Sequence, residues 1–457
     1  MHRAVIEYLV AWKDNPRRKP LVLRGARQVG KSYLARAFAR SHFRNLVEIN
    51  FEENSDLGRL FDGRSPDQIV PRLELHSGAK IVPGETLLFL DEVQAAPQVF
   101  ASLRYFHEHL SSLHVMAAGS LLEFVLEDHD FSMPVGRIEY LHLGPMTFEE
   151  FLVALGRSQL ADFLQTYAVG DEMPVPIHEQ LLGLLREFMV IGGMPEAIQA
   201  YVETKSFIEC DKVKQSVLST YADDFSKYGS RVNTPRVQRV FQRLPHLVGS
   251  KFKHTQVDRD QQAREIGKAL HLLCLARIAY KIHHSSCNGV PLGAEIDERK
   301  FKALFLDVGM LCRSCGLSLS ELEDTDDLTL VNSGAVCEQF AGQHLLYSRQ
   351  FFEEPELHYW SREKRQSSAE VDFVVSVGTK IIPIEIKAGK TGRLKSLHMF
   401  LRERARSFGV RLNTDVPSLL DTEAALPSGE VLPYRLLSLP LYLVGQTRRL
   451  CEQYGTS

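Results

Sequence analysis

Residues 21–32 read LVLRGARQVGKS. Leu21, Val22 and Leu23 have the apolar run of a short buried strand, Gly25 to Ser32 satisfy G-x-x-x-x-G-K-[ST] at every required position, and YLARAFARSHF continues as a helix. The strand, turn and helix together give the pattern a mechanism. A glycine-rich turn lets successive backbone N–H groups face one anion at the positive end of the following helix. The spacing therefore predicts a nucleotide site built from Gly25, Ala26, Arg27, Gln28, Val29, Gly30, Lys31, Ser32 and Tyr33, with Lys31 on the outer phosphates and Ser32 on Mg2+. A glycine turn before an ordinary helix is the plain alternative, and the complete motif in its context argues against it.

Working outward, RAVIEYLVAWK at residues 3–13 has helical spacing and is stopped by Asn15-Pro16, so a helix leads into the loop. NLVEINFEE alternates and predicts a second strand. TLLFLDEVQAAP follows, an apolar run closing on Asp91 and Glu92. A buried parallel strand reads as such a run, and its C-terminal end is where an open α/β sheet presents ligand-contacting groups. Asp91 is thus the expected second holder of Mg2+, and Glu92 the residue that polarises the attacking water. HVMAAGS predicts another strand, ending at Ser120, where a polar residue can sense the γ-phosphate. RIEYLHLGPM predicts a fifth. Arg137 at its start is a candidate for stabilising transition-state charge in its own or a neighbouring subunit, with a surface arginine beside a turn as the alternative.

A chain of 457 residues has room for about three cores at roughly 150 residues each. Its net charge of -3 gives no overall pull toward nucleic acid, so charge has to be read locally. No apolar run approaches the eighteen or so residues that span a bilayer, and Glu7 interrupts what would be a signal segment. The expected location is the cytoplasm, with no membrane partner. Cys312 and Cys315 make one C-x-x-C without a matching second pair, which favours reduced thiols on a helix over a zinc site.

From Thr147 to about Lys227 the pattern is helical, with Thr147 and Glu150 spaced as a capping box and Gly192-Gly193 marking a break. Residues 233–306 predict three helices and two strands in the order of a winged helix. Lys251, Lys253, Arg259, Arg264, Lys268 and Lys281 are enough charge for several phosphates if they share a face. Packing of this module on its neighbours is the alternative.

The second loaded stretch is AEVDFVVSVGTKIIPIEIKAG. Gly378-Thr379 is a two-residue hairpin signal, which pairs Val377 with Lys380 and sets Asp372 opposite Glu385 and Glu370 opposite Lys387, all on one face. Facing carboxylates repel unless a cation or proton sits between them. Asp372 and Glu385, with Glu338 as a further acid, are therefore candidate ligands for a second Mg2+ or Mn2+, and Lys387 for orienting an attacking water. A salt-bridged outer face of an antiparallel sheet is the alternative.

GARQVGKS, LLFLDEVQ, AAGSLLEF and GRIEYLHLGPMTFEEFL resemble the AAA-type ATPase domain of a large bacterial and archaeal family of ATP-binding proteins, and GGMPEAI and KALFLDVGML are similar to its recurring segments. EVDFVV and IPIEIKAG are similar to the PD-(D/E)-x-K nuclease superfamily, with Asp372, Glu385 and Lys387 on the acid, acid and lysine positions. Val371, where that pattern often has proline, is a departure. The resemblance implies an α/β chain with an ATPase core at residues 1–146 built on a five-stranded parallel sheet, a helical lid at 147–230, a winged-helix module at 231–310 and a nuclease-like domain at 325–457. The implied function is an Mg-ATP-hydrolysing ATPase that couples nucleotide state to DNA binding and metal-dependent DNA cleavage. The alternative is a nucleotide-dependent switch that binds a protein partner through an inactive nuclease-like domain. Oligomeric state stays open.

Overall fold

The computed structural model describes residues 1–127, 136–227, 233–317, 333–364, 367–389, 393–426 and 429–455. The chain divides into two compact units. The first is Met1–Gly144 together with Leu275–Ile278 and Gln350–Glu354, and the second is Pro145–Cys274, Ala279–Arg349 and Pro355–Ser457.

The first unit is a five-stranded parallel sheet of β1 (Leu21–Arg24), β2 (Asn45–Asn50), β3 (Thr86–Asp91), β4 (His114–Ala118) and β5 (Glu139–His142), in the order β2-β3-β4-β1-β5. β3 and β4 are buried at every position, as their unbroken apolar runs require of central parallel strands. β4 separates β1 from β3, so the sheet has the extra strand expected from HVMAAGS. Val22, Val47, Leu88, Leu90 and Val115 pack with Phe100, Leu103 and Phe106 of the helix Pro97–His109 as the core of one face.

The second unit opens with helices. Thr147 caps Phe148–Ala154 in the expected capping box with Glu150, and Gly192, at φ 83°, ends Val175–Ile191 before Pro195–Thr204 begins. The helices expected after residue 233 form at Thr234–Arg243, His254–Val257 and Ala263–Leu275. The two strands that follow, β6 (Ala279–Ser285) and β7 (Ile296–Phe305), pair antiparallel and belong to a larger sheet. β6 also pairs in parallel with β8 (His358–Lys364), which continues to β9 (Ser367–Val377), β10 (Lys380–Ile386), β11 (Phe408–Asn413), β13 (Val431–Pro440) and β12 (Ser418–Ala425). The eight strands thus join the stretch expected as a wing to the C-terminal strands.

Gly378, at φ 57°, turns the β9–β10 hairpin, and the register runs from Lys380↔Val377 to Ile384↔Phe373 as the two-residue turn dictates. Cys312 and Cys315 lie on the helix Val308–Cys315, and burial pushes the Cys312 thiol up to about 12. All seven cysteines are free. Among the described residues no helix is long and apolar enough to cross a membrane.

Candidate nucleotide site and C-terminal carboxylate cluster

The C-terminal ends of β1, β3, β4 and β5 gather the first site. The loop after β1 carries Gly25 at φ 154°, Gln28 at 62° and Gly30 at 93°, so its backbone winds through left-handed territory before the helix Lys31–His42 starts. A side chain at Gly25 would collide with the carbonyl of Leu143, just beyond β5. Within the loop Ala26 and Val29 are buried, while Tyr33 on the helix is largely exposed. Lys31 is buried, its ammonium donating to the carbonyls of Gly25 (2.9 Å) and Ala26 (2.8 Å). Burial lowers its pKa to about 8 against the opposing pull of Glu92 and Asp91, so it remains mostly charged at neutral pH.

Ser32 Oγ donates to Asp91 Oδ2 at 2.7 Å, joining the two residues expected to share a cation. The donor set is a hydroxyl and a carboxylate, hard oxygen ligands suited to Mg2+, which keeps most of its other positions for water and phosphate. Burial, with Glu92 adding to it, raises the Asp91 pKa despite the bond from Ser32, so Asp91 gains from a neighbouring cation.

Glu92 sits at φ 52°, a position that bulky residues rarely adopt. Its Oε2 accepts from Gln94 Nε2 (2.6 Å), Ser120 N (3.2 Å) and Ser120 Oγ (3.1 Å). Burial works to raise its pKa, but Gln94, Lys31 and Ser120 outweigh it and hold the group below the ordinary value, hence ionised. Arg27 Nε donates to Ser120 Oγ at 2.9 Å and its Nη2 lies 3.3 Å from Glu52. One polar chain therefore ties the loop, the end of β3 and the end of β4.

Gln94, Glu52 and Arg3 were not anticipated. Arg3, buried, donates to the carbonyls of Val29 (2.9 Å) in the loop and Gly144 (2.9 Å) after β5. Nothing local in MHRAV marks such a role; Gln94, two residues beyond Glu92, was readable from DEVQ.

Arg137 is not brought to this site, and a role toward its own nucleotide is corrected. β5 starts in register with the start of β1, Leu21↔Glu139, so Arg137 lies at the sheet edge away from the loop, where its Nε binds Glu108 Oε1 at 2.8 Å.

The second constellation lies on the eight-stranded sheet. Asp372 Oδ2 accepts from Ile386 N at 2.7 Å, and Glu385 Oε1 lies 2.7 Å from Lys387 Nζ. Glu385 Oε2 is buried with no hydrogen-bond partner. Between the acids stands a residue that the sequence had not nominated: Lys302 of β7, 2% exposed. Its ammonium forms an ion pair with Glu338 and lies 3.1 Å from Glu370 Oε1 and 4.0 Å from Asp372 Oδ1, over the ring of Phe373. Burial raises the carboxyls of Glu338 and Glu385 to about 7, and the Asp372 charge adds to both. Asp372 is raised too, chiefly by burial. Among the described residues no group of three or more His, Cys, Asp or Glu side chains is arranged to hold a metal ion.

Of the basic residues flagged earlier, Lys251 and Lys253 line an open cavity of about 500 Å³ with Gln256, Arg362, Glu370 and Ser396. Lys268 is paired with Glu265 at 2.9 Å, and Lys281 lies over Phe301.

The fold and the loop define a P-loop nucleotide-binding unit. Residues 17–152 match a family model described as an AAA domain, which supports an AAA-type ATPase in this part of the chain. Residues 182–321 and 333–431 match two models described as domains of unknown function, DUF8612 and DUF4143. No curated protein matches. Among solved structures, a Walker-type ATPase of Pyrococcus abyssi is similar at 16% identity, covering 68% of this chain and 94% of that one, with a TM-score of 0.43. The ORC2 protein of Aeropyrum pernix (ADPNP-ADP complexes) is 11% identical over 57% of this chain and 80% of its own, TM-score 0.30. The RuvB Holliday junction branch migration motor of Thermotoga maritima is 13% identical over 61% and 88%, TM-score 0.29.

Proposed function

We propose that the first unit hydrolyses Mg-ATP and that its nucleotide state controls how the second unit holds DNA. The observation that carries the ATPase reading is the joined pair Ser32–Asp91 beside an ionised Glu92 clasped by Ser120. In this reading the loop N–H groups and Lys31 hold the β- and γ-phosphates, and Ser32 and Asp91 would hold Mg2+, which neutralises phosphate oxygens. Glu92 accepts a hydrogen bond from the attacking water and aligns its oxygen on the γ-phosphorus as the bond to the β,γ-bridging oxygen breaks. Ser120, bonded to both Glu92 and Arg27, registers whether a γ-phosphate is there.

Support for a DNA ligand is the cavity that presents Lys251, Lys253 and Arg362, groups that attract phosphodiesters through charge. Lys302 weighs against the further step of cleavage by Asp372, Glu385 and Lys387. It already supplies the positive charge that Asp372 and Glu338 require, which favours a second unit that binds without cutting.

The test uses purified full-length chain. Lys31→Ala is expected to lose ATP binding, and Glu92→Gln to bind ATP while turnover falls about 100-fold or more. Labelled duplex DNA is expected to bind the wild type, to bind Lys251→Glu/Lys253→Glu poorly, and to stay intact with Mg2+ or Mn2+. Undiminished turnover by Glu92→Gln would end the assignment of the water-positioning residue. Cleavage abolished by Asp372→Ala would restore the nuclease.

A further inference from the structure

Two short stretches from the C-terminal half of the sequence, Leu275–Ile278 and Gln350–Glu354, belong to the AAA unit. Each brings one charged residue into a four-membered network. Arg24, the last residue of β1 and the neighbour of Gly25, is gripped by Glu123: Nε donates to Oε1 at 2.6 Å, and Nη2 pairs with Oε2. Arg277 Nη2 donates to the same Oε1 at 3.2 Å, and its Nη1 pairs with Glu354. Glu354 Oε2 lies 3.4 Å from Arg24 Nη1 and 3.5 Å from His142 Nε2. The side chains of Arg24, Glu123 and Arg277 are only 15%, 10% and 11% exposed. Charges so placed are kept out of water by being paired.

Position gives the network its meaning. Arg24 leads directly into the phosphate loop, Glu123 follows Ser120 by three residues, and the Glu123 charge is among those felt at Lys31. On the other side, Arg277 is two residues before β6, and Glu354 is four residues before β8. β6 and β8 are neighbours in parallel register, His283↔His358. The outer partner of β6 is β7, which carries Lys302, and the outer partner of β8 is β9, which carries Glu370 and Asp372. Arg277 also holds a left-handed φ of 60°.

We infer that Arg24, Glu123, Arg277 and Glu354 are positioning residues through which nucleotide state at the phosphate loop reaches β6 and β8. The inference rests on the nucleotide reading above. ATP adds negative charge where Glu123 acts on Lys31. That charge draws Arg24 toward the phosphates and disfavours Glu123 where it stands, so the hold of Glu123 on Arg277 weakens. Arg277 and Glu354 then shift as a pair, and the chain carries the shift into two adjacent strands. No covalent step is involved, only a change of partners among fixed charges.

The experiment is amide hydrogen exchange on the full chain in the Glu92→Gln background, with ATP and with ADP, alongside a fluorescent-nucleotide binding titration. Exchange in residues 279–285 and 358–364 is expected to differ between ATP and ADP by about fivefold or more. Arg277→Gln and Glu354→Gln are expected to erase that difference while ATP still binds, and Arg277→Lys to restore part of it. A purely structural cluster would loosen the strands equally in both nucleotides. Survival of the full ATP/ADP difference in both substitutions overturns the relay, as does the absence of any difference in an ATP-bound parent. Failure to bind ATP at all would instead remove the nucleotide reading beneath it.

Discussion

Replacing Lys302 by Met keeps the side-chain stem and removes the charge, which isolates what the ammonium contributes. In the wild type it neutralises Glu338, Glu370 and Asp372 from a position 2% exposed. Taking one partner from a buried charge cluster costs about 3–5 kcal/mol, because the remaining carboxylates stay in low dielectric without compensation. That cost depends on their being ionised. Glu338 and Glu385 stand at about 7 in the folded chain against an ordinary value of 4.5. The folded state therefore binds protons more tightly than the unfolded one. Stability from these groups is greatest below about pH 4.5, falls as pH rises toward 7, and levels off above it. At 1.36 kcal/mol per unit, the cluster as a whole loses on the order of a few kcal/mol across that window. Removing Lys302 takes away the main influence lowering Glu338, so the window extends to higher pH and the loss grows.

The Lys302→Met penalty should thus be about 3–5 kcal/mol at pH 8 and shrink by about 2 kcal/mol or more at pH 5.5. Urea unfolding read from Trp360 measures it. The chain has two tryptophans, and Trp12→Phe leaves Trp360, buried in β8 of the second unit, as the reporter. Adding Glu338→Gln to Lys302→Met should recover much of the loss at pH 8. A penalty equal at pH 5.5 and pH 8 would mean that Lys302 acts through packing alone, and the electrostatic account would fall.

Two further outcomes follow from the nucleotide site. Ser120→Ala removes the hydroxyl that donates to Glu92 and accepts from Arg27, leaving Glu92 Oε2 its bonds from Gln94 Nε2 and the backbone N–H of residue 120, so steady-state turnover should drop about 10- to 100-fold with little change in ATP affinity; a raised KM with unchanged kcat would assign Ser120 to ground-state binding. Arg3→Ala leaves the buried carbonyls of Val29 and Gly144 without donors, at a cost of about 1–3 kcal/mol, and should weaken nucleotide binding along with thermal stability; intact affinity in a destabilised protein would confine Arg3 to folding.

What the sequence disclosed was what local spacing controls. The loop from Gly25 to Ser32 needs its glycines within a single turn, Asp91 and Glu92 close an apolar run, and the Gly378-Thr379 turn sets the hairpin register by counting. Arg137 takes the position of its alternative reading, a surface arginine beside a turn, and the clue was present. A residue that precedes a parallel strand lies at the edge opposite the one that presents ligand-binding groups. Arg3, and the pairing of Arg24 with Arg277 through Glu123, could not be read, because they join segments separated by 141 and 154 positions that only the fold brings together.

Lys302 shows where that boundary falls. Counting along the hairpin was enough to state that Asp372 and Glu385 face each other and that such acids demand a positive charge or a proton. It could not name the supplier. With β6 and β7 taken as a separate wing, nothing pointed Lys302 toward the acids. Once β7 is the edge of the same sheet, its position alternates inward among the acids, and the demand is met in part by a side chain already in the protein. A divalent ion at Asp372 would have to compete with a tethered ammonium at 4.0 Å. Glu385, by contrast, keeps one carboxylate oxygen buried without a partner and a pKa near 7, so its remaining demand is met by a proton at mildly acidic pH. If DNA occupies the neighbouring cavity as proposed, its phosphates add negative charge and should favour protonation of Glu385 further, so proton uptake on DNA binding near pH 7 is the consequence to measure. Equal DNA-binding enthalpies in buffers of different ionisation heat would show that no proton is taken up and that Glu385 is neutralised by Lys387 alone.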